Sequence, residues 1–250
     1  MKKFKIFSIF VLLITLFICI KTSDAYGFGV KKNTNNLQPD IGYYKKILED
    51  NNGIYVGNKN EKKVYLTFDC GYENGYTDRI LDILENHNVP AAFFITGHYI
   101  NSASQIVLRM KEDAHVVGNH SNKHKDITQL SEEEIKKEIT SLDDMYFNLT
   151  KTHLDPFYRP PEGNFDDKSL SIVKKMGYTT LFWSLAYKDW NHQNSVLYVT
   201  KEVSQNIHNG AIVLMHTVSE ANALALESII IKLKNDGYLF SNVYDLLGNV

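Results

Sequence analysis

Two cysteines, five prolines and two tryptophans are all that the 250 residues hold of these types. Cys19 falls inside an apolar run near the amino terminus, so a chain cleaved after that run keeps Cys70 alone. One thiol forms no internal disulfide, which leaves packing as the source of stability. An excess of one charge is also missing: 27 Lys and Arg stand against 29 Asp and Glu, a formal net charge of −2. That balance excludes the concentrated basic stripe on which nucleic-acid binding rests. Charged residues at 22% and hydrophobic residues at 44% exclude a disordered chain and suit one sizeable core. The aromatic share is carried by 15 Tyr and 13 Phe, which fits a packed core and a sugar-facing groove equally well.

Only one stretch is apolar enough to concern a membrane. Lys2, Lys3 and Lys5 precede an apolar run over residues 6–20, and a short polar stretch ends at Ser23, Asp24 and Ala25. A basic start, an apolar run and a small-x-small end describe a secretory signal peptide. The run falls short of the roughly 20 residues that span a bilayer, which favours export over a retained anchor. Bulky Ile18 before Cys19 speaks against a lipoprotein anchor. The expected division is a signal peptide over 1–25, an Asn-, Lys- and Gly-rich extension over 26–62 that wraps the domain, and the main domain over 63–250.

Within the extension, residues 41–49 form one short candidate helix. From residue 64 a strand-then-helix rhythm begins. Strands are expected at 64–68, 91–96, 115–117, 157–159, 178–185 and 211–216. Between them, helices are expected around Ile80, Leu81, Ile83 and Leu84, over 105–112, from 131 onward, and over 168–176, with two more at 196–207 and 223–234. Ser131 with Glu134 three residues on is a capping box. Six strands alternating with helices predict an α/β fold with parallel strands. Asp69, His120, Arg159 and His216 each fall at or just past the carboxyl end of a different strand. Such a register predicts a distorted (β/α) barrel of six to eight strands with its catalytic face at those ends. An open sheet would gather its site at one switch point instead.

Taken singly, each of these residues has an ordinary reading. His120 and His124, four apart, lie on one face of a helical turn and can reach one metal ion, yet such a pair is often two surface neighbours. Asp69 could be a helix N-cap, but Gly71 and Gly75 bracket a loop after it and present it to a cleft. Arg159 stands before Pro160 and Pro161, which stiffen the backbone and suit a guanidinium that pins a carboxylate, or simply a rigid loop. Asp189 and His216 could form the acid–imidazole pair that sets a tautomer and raises a histidine pKa.

In combination and in order, Thr67-Phe68-Asp69, His120-Ser121-x-x-His124, Arg159-Pro160-Pro161-x-Gly163, Asp189-Trp190 and Leu214-x-His216 resemble the polysaccharide deacetylase family, the NodB-homology domain. The match runs from about residue 64 to about 239. The loop from Phe68 to Thr77 and the Met215-His216-Thr217-Val218-Ser219 segment resemble one branch, the muramic acid de-N-acetylases of spore-forming bacteria, which prepare the muramic δ-lactam of spore cortex. The resemblance implies a hydrolase of an N-acetyl amide acting outside the cytoplasmic membrane, in the cell wall or cortex space. Its partner would be a peptidoglycan glycan strand, with neither nucleic acid nor a protein partner. N-acetylglucosamine in peptidoglycan or a chitin-type polymer is the alternative substrate, and a non-catalytic glycan-binding module the alternative of another class.

The same resemblance implies roles. Asp69 would take a proton from water, and Arg159 would orient it. His120 and His124 would hold a divalent metal ion, zinc by preference. His216, tuned by Asp189, would protonate the departing amine. Tyr72, Glu162, Gly163, Trp190 and Leu214 would meet the substrate, with a backbone N–H near Glu162 serving the oxyanion. Two positions depart from the family. Cys70 stands where a second Asp commonly ligates the metal, so either its thiolate binds a soft ion or two histidines hold the metal weakly. The branch resemblance favours the second. Glu162 replaces a common aromatic residue, which argues against chitin-like substrates.

Overall fold

The computed structural model describes residues 24–31, 35–190 and 194–249; the expected signal segment lies outside them except for its last two residues. Ten strands appear among the described residues: β1 (Tyr26–Gly27), β2 (Gly53–Ile54), β3 (Lys63–Cys70), β4 (Ala91–Ile95), β5 (Val116–Asn119), β6 (Phe157–Tyr158), β7 (Asn164–Phe165), β8 (Thr179–Leu181), β9 (Ala211–His216) and β10 (Leu239–Phe240). Eight form one sheet in the order β10-β3-β4-β5-β6-β8-β2, with β9 also paired to β3. Every pairing within that sheet is parallel.

The sheet curls until its far edge returns to β9. A bridge joins Leu185 to Val213 and another joins Val56 to Ala211. Gly57 N–H donates to Gly210 O at 2.8 Å across the same seam. Gly210 has φ +73, and a Cβ there would sit 2.5 Å from the Gly57 backbone, so only glycine closes the seam. The result is a distorted barrel of parallel strands with helices outside, in place of an open sheet.

Alternation along β3 shows how the layers are built. Val64, Leu66, Phe68 and Cys70 join the core between sheet and helices, with Leu81, Leu226 and Ile229. Tyr65 joins the inner core with Phe94, Phe182, Ile212 and Leu214. A strand buried on both faces reads as one apolar run, and β3 does so until Asp69. Outside, the helix Glu132–Thr150 begins with the expected Ser131–Glu134 capping box. The helix Glu220–Asn235 is capped by Ser219 and packs Leu226, Ile229 and Leu233 on the sheet.

Two expectations shift. The strand expected over 178–185 ends at Leu181, because from Ser184 the chain turns its N–H groups to Ile212 O on β9. Thr96, expected in a strand, caps a short helix at Gly97–Ser102 by accepting from Tyr99 N–H. Residues before β3 contribute to both sheets. They pair β1 with β7, add β2 to the main sheet beside β8, and stack Phe28 on Phe182 with centroids 4.3 Å apart.

Candidate active site

Asp69 is the last inward-facing residue of β3, and the barrel presents it at the carboxyl ends of the strands. Arg159, wholly buried, holds it: Nη1 donates to Asp69 Oδ1 at 2.9 Å and to Thr67 Oγ1 at 2.9 Å. Elsewhere on the fork Nε donates to Leu181 O at 2.9 Å and Nη2 to Phe182 O at 3.1 Å. The guanidinium lies 4.2 Å from the Phe94 ring centroid, so it is fixed on its face as well as its edges. Burial alone would push the Asp69 carboxyl up, but Arg159, then His120 and His216, outweigh it and hold the pKa below the ordinary value.

His120 lies beside it. Its Nδ1–H donates to Arg159 O at 2.8 Å, so the Nε2 lone pair points onward, 3.6 Å from Asp69 Oδ2. Burial brings its pKa down to about 4, which keeps the ring neutral and able to ligate. The helical turn expected between His120 and His124 is not formed. Ser121 and His124 have φ of 64 and 53, and the segment is a loop. The buried Glu138 shapes it: Oε2 accepts from Lys123 N–H at 2.7 Å and from Ser121 Oγ at 3.1 Å. The two imidazoles still meet, with centroids 4.9 Å apart and planes at 77°.

His216 ends β9. Its Nδ1–H donates to Asp189 Oδ1 at 2.7 Å and its own N–H to Asp189 Oδ2 at 2.6 Å. Burial would lower the imidazole pKa, but the Asp189 hydrogen bond and charge, with Asp69 behind, bring it above the ordinary value. Asn222, fully buried, supports the pair from the helix Glu220–Asn235. Its Nδ2 donates to Asp189 Oδ2 at 2.6 Å, and its Oδ1 accepts from Tyr187 OH at 2.8 Å. Trp190 is half-exposed and sets its ring edge-on to His216 at 5.7 Å.

Asp69, Tyr72, His98, His120, Lys123, His124 and His216 line one cavity of about 550 Å³. Tyr72 and Val218 continue into a smaller recess that Asp189 and Trp190 share. Of the residues expected to meet substrate or metal, Leu214, Gly163, Glu162 and Cys70 line neither the cavity nor the recess. Leu214 is packed in the inner core, opposite Thr67. Gly163, at φ +70, lies beneath Trp183, where a Cβ would come within 2.7 Å of the indole. Glu162 is exposed and accepts from Asn164 Nδ2 at 3.3 Å. Cys70 points to the helix side, and burial pushes its thiol pKa up. Thiolate ligation by Cys70 is therefore not what the structure builds. Sequence reasoning missed Glu138, Asn222, His98 and Lys123.

The divalent ion implied by the family pattern meets two imidazoles here. Among the described residues no group of three His, Cys, Asp or Glu side chains is placed to hold a metal. A catalytic zinc commonly takes three protein ligands and one open position. His120, oriented through Nδ1, and His124 beside it would hold such an ion through two ring nitrogens.

Comparison with known proteins places this geometry. A family model described as polysaccharide deacetylase matches residues 56–181. The peptidoglycan-N-acetylmuramic acid deacetylase PdaA of Bacillus subtilis (strain 168) is 39% identical over 90% of this chain and 87% of its own. The solved structure of Bacillus subtilis PdaA, described as a family 4 carbohydrate esterase, superposes with a TM-score of 0.87 over 90% of this chain and 97% of that one. The peptidoglycan-N-acetylglucosamine deacetylase PgdA of Listeria monocytogenes is 34% identical over 76% of this chain and 40% of its own.

Proposed function

The chain belongs to the polysaccharide deacetylase family, and from that premise we propose that it hydrolyses the N-acetyl group of muramic acid in peptidoglycan. One observation carries the chemistry: a carboxylate paired with Arg159 and an imidazole paired with Asp189 line the same cavity. Likeness to the muramic acid enzyme over nine-tenths of the chain supports the substrate. The weaker likeness to the glucosamine enzyme supports a second reading, N-acetylglucosamine in the same polymer.

In this reading Asp69 accepts a proton from water as its oxygen attacks the acetyl carbonyl carbon. Arg159 keeps the carboxylate aimed and charged. His120 and His124 hold a divalent ion, zinc by our reading, which when bound supplies polarisation of the acetamide oxygen and acidifies the attacking water. His216 gives its proton to the amide nitrogen as the C–N bond breaks, so acetate and a free amine leave. Asp189 holds the Nδ1–H in a hydrogen bond, so the proton that His216 gives is the one on Nε2, toward the cavity. Tyr72 and Trp190 offer rings to the sugar face at the cavity mouth.

Acetate release from purified peptidoglycan tests this reading. Asp69→Asn should cut turnover by ~10²–10⁴-fold, the usual worth of a general base. No acetate from the wild-type protein with metal supplied would overturn it. We further place the activity outside the cytoplasmic membrane, with the amino-terminal segment as export signal, cleaved or kept as an anchor. The freed amine would lead to muramic δ-lactam in spore cortex. Spores of a deletion strain should then carry cortex without muramic lactam, and normal lactam content would remove this placement.

A further inference from the structure

We propose that Lys123 receives the lactyl carboxylate of muramic acid and thereby sets the preference for muramic acid over glucosamine; this rests on the reaction proposed above. Muramic acid differs from glucosamine by a lactyl ether on C3, next to the carbon that carries the acetamide. The lactyl carboxyl carbon lies close enough to the C2 nitrogen to close a six-membered lactam with it. Wherever the acetamide sits between Asp69 and His216, the carboxylate therefore enters the same cavity.

In that cavity His216 and the ion that His120 and His124 would hold are engaged by the reaction itself, and Lys123 is the cation left over. Among the lining residues Asp69 is the only carboxylate and Lys123 the only Lys or Arg. An anion beside Asp69 is repelled, while an ammonium attracts it. Among the described residues no carboxylate lies within ion-pair distance of the Lys123 ammonium; the ion pairs of the chain are made by other cations. The acid that touches Lys123, Glu138, is engaged by its main chain: Oε2 takes the Lys123 N–H at 2.7 Å and the Ser121 hydroxyl at 3.1 Å. The Asn122 N–H also donates to Glu138 O, at 3.2 Å. The root of the Lys123 side chain is thus fixed next to His124 while its ammonium stays free for a ligand.

An exposed lysine that pairs with a carboxylate in a solvent-connected cavity contributes modestly and is screened by salt. The test uses a stem-peptide-free glycan of alternating N-acetylglucosamine and N-acetylmuramic acid, with its lactyl carboxylates free or methyl-esterified. Acetate release is assigned to each sugar by mass spectrometry. Wild type should favour the free carboxylate about fivefold in kcat/KM, through KM, and lose that preference in high salt. Lys123→Arg should keep the preference, Lys123→Met abolish it and Lys123→Glu reverse it, all with wild-type circular dichroism. A Lys123→Met protein that retains the preference, or a wild type that attacks muramic acid in both glycans equally, overturns the carboxylate seat while leaving the reaction in place. Release from glucosamine alone overturns the reaction on which it rests.

Discussion

Asp69 and Cys70 are consecutive in β3 and face opposite sides of the sheet. The Asp69 carboxylate takes Arg159 Nη1 at 2.9 Å on the inner side, and the Cys70 sulfur accepts from Thr217 Oγ1 at 3.7 Å among helix-side apolar residues. One residue of strand separates the chemistry from the core.

Metal binding should therefore depend on the histidines and not on the thiol. Cys70→Ser should bind zinc within about twofold of wild type, whereas His124→Ala, at an exposed position, should lower affinity by at least ~10-fold, the scale on which even second-layer metal partners act. Calorimetric titration with circular dichroism in parallel decides. Loss of zinc binding in Cys70→Ser with His124→Ala unaffected would reverse the assignment.

The Arg159–Asp69 pair should be costly to break. Arg159→Met leaves a carboxylate and two main-chain carbonyls without their donor, and removing one partner of a buried pair typically costs ~3–5 kcal/mol. The Asp69 pKa should rise at the same time, because burial then acts unopposed by the guanidinium. Urea unfolding would show the first effect, and an acid limb of the rate profile moved to higher pH the second. A variant as stable as wild type would show that the pair is not structural.

The same logic fixes the alkaline limb. His216 donates a proton, so activity is present below its pKa and lost as pH rises through it. Asp189 raises that pKa above the ordinary imidazole value, and the limb should lie correspondingly high. Asp189→Asn keeps a similar shape but removes the charge, so the limb should move to lower pH. A pH–rate profile of both proteins reads this directly, and an unmoved limb would take the tuning role from Asp189.

The elements visible in the sequence are those that repeat or alternate. β3, β4 and β9 show as apolar runs, and Ser131 with Glu134 marks a helix start by local chemistry. Strand-end register placed Asp69, His120, Arg159 and His216 on one rim because each follows a run that must be buried. Glu138 and Asn222 carry no such mark. Each is one more polar residue on a helix, and only tertiary packing turns Glu138 toward the loop 120–124 and Asn222 toward Asp189. The loop between the two histidines bends through positive φ at Ser121 because Asn119 Oδ1 and Glu138 supply its hydrogen bonds, which spacing alone cannot reveal. Two-residue strands such as β2 have no period to read.

Mass spectrometry of muropeptides, after incubation of peptidoglycan with the metal-loaded protein, reads acetyl loss sugar by sugar. Acetyl groups should leave muramic acid, remain in place with Asp69→Asn, and stay on glucosamine throughout. Loss confined to glucosamine, or equal loss with Asp69→Asn, would contradict it.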